Sequence, residues 1–185
     1  MLEWSEAALR AAGLPYVRVV PEGFDGVPGG ATRSQSVLRG LRALPDCDAV
    51  VVHDAARPLV SPEHFASAIA ALADADAAVV AARVTDTVKE VEGTRVVGTL
   101  ERGRLWAMQT PQAFRRAVLE RALDVDEAVL AAATDDAALV ERAGGTVVVV
   151  ESLTPNFKVT DAHDLAVAEW LLSSRADGLP RPPAT

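Results

Sequence analysis

Apolar residues along this 185-residue chain recur in two rhythms, one spaced every three or four positions and one in short unbroken runs. The first predicts helices with one buried face, the second buried strands. Leu2, Leu9 and the alanines between them share a face over residues 1–12, and Gly13 stands where a helix normally ends. Residues 16–20 predict a strand, and the Gly- and Pro-rich stretch 21–30 a loop. Thr32 with Gln35 three positions on is the pattern of a capping box, opening a helix to about Leu44. A strand ending at Asp54 follows, then a helix capped by Ser61 with Pro62 in its first turn, running through Ala73. Residues 77–82 read as a buried strand. Over 84–105 the pattern turns shorter and more polar, predicting strands 87–91 and 95–100 around the turn Glu92-Gly93. Thr110 and Pro111 read as the start of a helix, and Thr134 as the cap of another that ends at Gly144-Gly145. Residues 146–150 form the last buried strand, and Thr160 and Asp161 open a closing helix through Leu172. The tail 176–185, with three prolines, is expected to be disordered.

Strands alternating with helices at this spacing predict βαβ units. The expected fold is α/β, one domain over 1–175, with a mostly parallel sheet, helices on both faces and a hairpin arm at about 84–105. Half the residues are hydrophobic and only 4% aromatic, so the core should be aliphatic. A net charge of −8 without a basic stripe excludes nucleic acid as the expected partner. Cys47 is the only cysteine and cannot form an internal disulfide. No stretch reaches the roughly 18 apolar residues of a membrane span, and no signal peptide is visible, so a soluble cytoplasmic protein without a membrane partner is expected.

The chemistry begins where Val50-Val51-Val52 runs into His53-Asp54-Ala55-Ala56-Arg57-Pro58. An apolar strand ending in a carboxylate delivers that group to the carboxyl edge of an α/β sheet, where ligands bind. Asp54 could take a divalent cation and Arg57 a phosphate; a salt bridge between them across a turn is the commoner arrangement at that spacing. Gly29-Gly30-Ala31-Thr32-Arg33-Ser34-Gln35-Ser36 enters a helix N-terminus, which favours an anion or a nucleobase edge. Only Lys89 and Lys158 among eighteen basic residues are lysines. Lys158, between a buried strand and a helix, offers a compact ammonium for a phosphoryl oxygen, whereas Lys89 on the hairpin reads as solvated. His53 is expected to orient its loop through a hydrogen bond, and His64 and His163 to sit at exposed first-turn positions. Asp135 and Asp136 read as helix-start acids, and Trp106 and Phe114 as core packing. No nucleophile elbow or Cys/His pair supports covalent catalysis.

The ordered set Gly29-Gly30 with Arg33 and Ser36, His53 through Pro58, Asp86-Thr87, Arg102 with Leu105-Trp106, Thr110-Pro111-Gln112, Thr134-Asp135-Asp136 and Asn156-Phe157-Lys158-Val159-Thr160 resembles the 2-C-methyl-D-erythritol 4-phosphate cytidylyltransferase family of the non-mevalonate isoprenoid pathway. The resemblance spans residues 2–172. It implies a Rossmann-like nucleotidyltransferase fold with a protruding arm. It also implies that Gly30 and Ser36 contact the cytidine end of CTP, with Gly29 and Arg33 completing that loop, and that Asp54 binds Mg²⁺ near the sugar phosphate. Arg57, Thr87, Arg102 and Thr110 would hold methylerythritol phosphate, some of them across a homodimer made by the arm, and Lys158 would stand at the reacting α-phosphate. The implied reaction is attack of the substrate phosphate on that phosphorus with release of pyrophosphate, which needs positioning and charge neutralisation rather than a proton shuttle.

Three departures from the pattern stand out. The family's opening strand and glycine-rich loop with an arginine and a Pro-Lys pair are absent here, so triphosphate binding is expected to be impaired and apolar surface to lie exposed beside the sheet. The first residue is expected to be internal to a longer chain, or the fold compensated. Arg83 stands where the family often has proline, and Pro155 precedes the Asn-Phe-Lys segment. A ribitol or related polyol phosphate is the nearest alternative substrate, from which the Ala55-Ala56 pair leans away. A non-catalytic nucleotide-binding or dimerisation module is the alternative of another class.

Overall fold

The structure, a computed structural model, describes residues 1–174; the expected disordered tail lies outside them. In chain order the helices are α1 (Leu2–Ala11), α2 (Arg33–Ala43), α3 (Pro62–Ala70), α4 (Arg116–Leu123), α5 (Glu127–Ala132), α6 (Asp136–Arg142) and α7 (Ala162–Ser174). The strands are β1 (Val19–Val20), β2 (Val27–Pro28), β3 (Ala49–Val52), β4 (Ala77–Arg83), β5 (Lys89–Glu92), β6 (Arg95–Thr99), β7 (Trp106–Arg115) and β8 (Val147–Glu151).

The main sheet has the order β3-β7-β4-β8. β4 and β8 pair in parallel, while β7 runs antiparallel to both β3 and β4, so three of the four strands share a direction. Along β4 the pleat sends Ala77 and Val79 to one face and Ala78 and Val80 to the other. The first face packs against α2, α4, α5 and α6 through Leu41, Leu119, Leu130 and Val140. The second meets α3 through Ala68, with Leu72 of the following turn beside it; Phe65 of α3 packs with Ala8 of α1 and Val60. Helices therefore cover both faces, as the alternation predicts.

β7 corrects the sequence reading. Thr110 and Pro111 do not open a helix: they lie in the central strand, and the helix begins at Arg116. A proline after a threonine is a helix-start pattern, but here it is absorbed by a bulge. Val79 pairs with Gln112 and Ala81 with Met108, so Gln109, Thr110 and Pro111 all face Val80. Within that bulge Pro111 owes the β4 ladder no N–H, which is how a central strand tolerates it. Smaller corrections concern strand 16–20, of which only Val19–Val20 is paired, and α6, which is capped by Asp135 rather than Thr134.

β5 and β6 form a separate two-stranded sheet around Gly93 (φ +60°), with nearly every residue exposed. At its base Arg83 stacks over Trp106, 4.3 Å from the ring centroid, and pairs with Glu151 at 2.9 Å. The arginine that departs from the family pattern thus ties the end of β4 to its two neighbours, β7 and β8, where the chain leaves for the hairpin. On its other side, β3 has β7 on one edge and, on the opposite one, an apolar cleft of about 910 Å³. Leu9 of α1, Val37 and Leu41 of α2, and Val50 line it, and it opens toward Asp54. Among the described residues no helix is long and apolar enough to cross a membrane.

Candidate active site

β3 stops at Val52, and the next residues carry the chemistry. The β3–β7 register pairs Val52 with Gln112, so Asp54 comes level with Thr110. There the ladder bond is replaced by a side chain: the Asp54 N–H donates to Thr110 Oγ1 at 2.9 Å. Thr110 Oγ1 also meets His53 Nδ1 at 3.1 Å. The bulge that displaces Thr110 thus fixes where the carboxylate-bearing turn leaves the sheet.

Three cations converge on the Asp54 carboxylate. Lys158 Nζ lies 3.5 Å from Oδ2, Arg57 Nε 3.7 Å from Oδ2 and Arg33 Nε 3.9 Å from Oδ1. All three contacts are long, and the carboxylate is partly exposed, so it is surrounded by positive charge without being tightly engaged. Arg57 is held from behind, its Nη1 donating to the Asn156 carbonyl at 2.9 Å. Burial lowers the Arg57 pKa from its ordinary value, with Asp54 opposing that shift and Arg33 adding to it. Arg33 is anchored at its far end by Asp136, Nη1 to Oδ2 at 2.5 Å.

The glycine loop joins the corner through the capping box of α2. Gln35 N–H donates to Thr32 Oγ1 at 3.2 Å, and Gln35 Oε1 accepts from the N–H groups of Ala31 and Thr32. Ser36 Oγ accepts from the Gly30 N–H at 3.0 Å and donates to the Thr32 carbonyl at 2.9 Å. A Cβ on Gly30 would overlap that of Gln35, so the tight return requires glycine. Gly29, Gly30, Arg33, Ser36 and Asp54 line one end of the cleft beside β3.

Of the residues the sequence singles out, Asp54, Arg57, Thr110, Lys158 and Arg33 are brought together, and Gly29, Gly30 and Ser36 stand beside them. Thr87 and Arg102 are elsewhere, exposed at the base of the hairpin, where Arg102 Nη1 donates to the Thr85 carbonyl at 2.6 Å.

Sequence reasoning missed three supporting residues. Asp136, read as a helix-start acid, does stand in the first turn of α6, and it is also wholly buried. Its place one turn before Leu139 and Val140, both buried, was the available signal. Asn156, 1% exposed, donates through Nδ2 to the Thr110 carbonyl at 2.9 Å and to Gln109 Oε1 at 3.1 Å. Nothing in its sequence neighbourhood marks it as core. His64, expected to be exposed, is buried and caps α3.

Burial raises the Asp136 pKa, with Arg33 pulling the other way. A folded pKa above the unfolded one means that this carboxyl's contribution is present at low pH and lost as pH rises through the folded pKa. The ionised carboxyl therefore contributes less to the fold than its protonated form does. Asp136→Asn takes one partner from the Asp136–Arg33 pair and is expected to lower the urea-unfolding free energy at pH 7 by about 1 kcal/mol or more; an unchanged or raised value would show that the pair adds nothing net.

No cluster of three His, Cys, Asp or Glu able to cage an ion occurs among the described residues. Asp54 alone, with only long ion pairs on its oxygens, suits a Mg²⁺ that brings most of its ligands as water and phosphate oxygens. The donor set fits a phosphate-borne cation.

An α/β sheet with a carboxylate, three cations and a glycine-lined helix N-terminus at its carboxyl edge makes a corner suited to phosphate-bearing ligands. The family model for 2-C-methyl-D-erythritol 4-phosphate cytidylyltransferase matches residues 18–174. A relative of that name from Bacillus licheniformis is 45% identical over 148 residues, covering 80% of this chain and 64% of its own length. One from Alkaliphilus metalliredigens is 43% identical over 172 residues, covering 92% and 69%. The crystal structure of the enzyme of that name from Thermus thermophilus superposes with a TM-score of 0.77 at 37% identity, covering 93% of this chain and 88% of the other. The chain belongs to the 2-C-methyl-D-erythritol 4-phosphate cytidylyltransferase family. It spans about two thirds of the length of these two curated relatives.

Proposed function

We propose that this protein transfers a cytidylyl group from CTP to 2-C-methyl-D-erythritol 4-phosphate, releasing pyrophosphate. The observation that carries the reading is the convergence of Arg33, Arg57 and Lys158 on Asp54, at the mouth of a cleft shared with Gly29, Gly30 and Ser36. A phosphate oxygen of the substrate attacks the α-phosphorus of CTP, the bond to the pyrophosphate oxygen breaks, and pyrophosphate leaves. Two anions must approach each other, so charge neutralisation and alignment dominate and no proton needs to move. Lys158 places an ammonium at the α-phosphoryl oxygens, and Arg57, preorganised by the Asn156 carbonyl, clamps the attacking phosphate. Gly30 and Ser36 receive the cytidine end, with Gly29 and Arg33 beside them. Asp54 would hold a bound Mg²⁺, which supplies further charge neutralisation on the phosphates.

The assay follows pyrophosphate with CTP, Mg²⁺ and methylerythritol phosphate, in parallel with ribitol 5-phosphate. Turnover with the first substrate is expected. Preference for the second would reassign the acceptor, and CTP binding without turnover on either, even after the family's glycine-rich loop is supplied, would favour a non-catalytic module.

Thr87 and Arg102 complete the acceptor site from the hairpin of a second copy. The hairpin exposes Val91 (53%) and Val96 (56%), and a two-stranded ribbon is marginal in water unless another surface covers it. Sedimentation at micromolar concentration is expected to find a homodimer that the double substitution Val91→Glu, Val96→Glu converts to monomer; a wild-type monomer would refute this role of the arm.

A further inference from the structure

The two loops that build the corner, residues 53–60 and 152–159, are joined behind it by a strap that the proposed chemistry does not use. His64 lies in the first turn of α3, directly after the loop carrying Asp54 and Arg57, and only 7% of it is exposed. The Ser61 N–H donates to His64 Nδ1 at 3.1 Å, which makes that nitrogen an acceptor and leaves the proton on Nε2. Nε2 is 3.0 Å from Ser152 Oγ and donates to it, and Ser152 Oγ donates onward to the Thr154 carbonyl at 2.8 Å. The bonds thus run in one direction from the start of α3 into the loop leaving β8, six residues before Lys158.

The loop's other restraints lie at its ends: the Ser152 N–H donates to the Ala81 carbonyl at 2.8 Å, and the Asn156 carbonyl accepts from Arg57 Nη1 at 2.9 Å. Asn156 is fixed from within through Thr110 and Gln109, and the Val159 N–H donates to the Ala56 carbonyl at 2.8 Å. Leu153 is 88% exposed, so its side chain does not anchor the stretch between Ser152 and Asn156. An ordinary helix cap would need only the Ser61 contact. The second ring nitrogen, aimed at Ser152, does something a cap does not require.

We propose that His64 and Ser152 are positioning residues that hold the Lys158 loop against Asp54, setting the ammonium for the α-phosphoryl group. The inference rests on the reading of the site given above, and its test separates the two. Lys158 and Lys89 are the only lysines, so acylation by a water-soluble anhydride, read by mass spectrometry of peptides, reports Lys158 with Lys89 as internal standard. This readout needs no turnover.

Ser152→Ala removes one oxygen and leaves the helix cap intact. It is expected to raise the Lys158:Lys89 acylation ratio about threefold, the scale of releasing a partly exposed ion pair. Ser152→Thr, which keeps the hydroxyl, is expected to restore the wild-type ratio. His64→Asn, which can still cap α3 but falls short of Ser152, is expected to match Ser152→Ala. An unchanged ratio in both folded variants, with circular dichroism and melting as in the wild type, overturns the proposal. In pyrophosphate release, Ser152→Ala is expected to lower kcat with little change in KM for CTP and to add nothing further in a Lys158→Ala background; additive losses overturn it as well. A shifted acylation ratio in a protein without cytidylyl transfer would refute the function and leave the strap standing.

Discussion

Asp54→Ala is expected to lower pyrophosphate release by about two to three orders of magnitude, the scale for loss of one preorganised electrostatic group at a reacting centre. Asp54 is the only carboxylate that Lys158 and Arg57 reach among the ion pairs of the described residues. Its removal leaves three cations crowded together, and on the proposed reading a metal-bearing triphosphate would lose its protein ligand. The loss should fall mainly on kcat and on the Mg²⁺ dependence, because on the proposed reading the cytidine end would rest on Gly30 and Ser36. Asp54→Asn keeps the shape and the backbone bond to Thr110 but not the charge, so it should lose nearly as much. Steady-state kinetics at several Mg²⁺ concentrations decide the matter, and Asn retaining most of the activity would remove Asp54 from the metal role.

Acidification should weaken the fold through His53 by about 3 kcal/mol. Its pKa is lowered to about 4, first by burial, with Arg57 also lowering it and Asp54 opposing. The ring sits edge-on to Phe65 at 5.3 Å, and its Nε2 is buried without a partner. A folded pKa below the unfolded value of about 6.5 means that the contribution is complete above pH 6.5 and is lost as pH falls toward 4. Asp136, shifted the other way, partly offsets the loss over its own range. The clean measurement is therefore a difference: urea-unfolding free energies from pH 7 to 4 for the wild type and for His53→Gln. The two curves should converge as pH falls, by about 3 kcal/mol in all; parallel curves would show that His53 titrates freely. A histidine neutral at pH 7 and turned inward supports the Asp54 turn rather than moving protons, in keeping with a reaction that needs none.

Legibility followed the range of the interactions. The α2 capping box, Pro62 in the first turn of α3 and the buried strands β4 and β8 were readable because each is written in a few adjacent residues. β7 was not. Its proline obeys a local helix-start rule, and only pairing with both β3 and β4, with the bulge between them, makes it a strand. His64 looked like a surface residue, and Asp136 like no more than a helix-start acid, because polar side chains in a first helical turn are usually solvated. Their partners, Ser152 and Arg33, are 88 and 103 positions away in the chain.

The sequence by itself determined the alternation of elements, the placing of a carboxylate, an arginine and a lysine at strand ends, and the family, since these depend on residue type, order and spacing. Only the tertiary structure decided that the groups form one corner. Asp54 meets Thr110, Lys158 and Arg33 because β3 lies beside a bulged β7 and because Asn156, Asp136 and His64 are buried where they can brace the loops. Burial of that kind depends on contacts between distant segments, and a hydrogen-bonding polar residue placed in the interior carries no mark of it in its own stretch of chain.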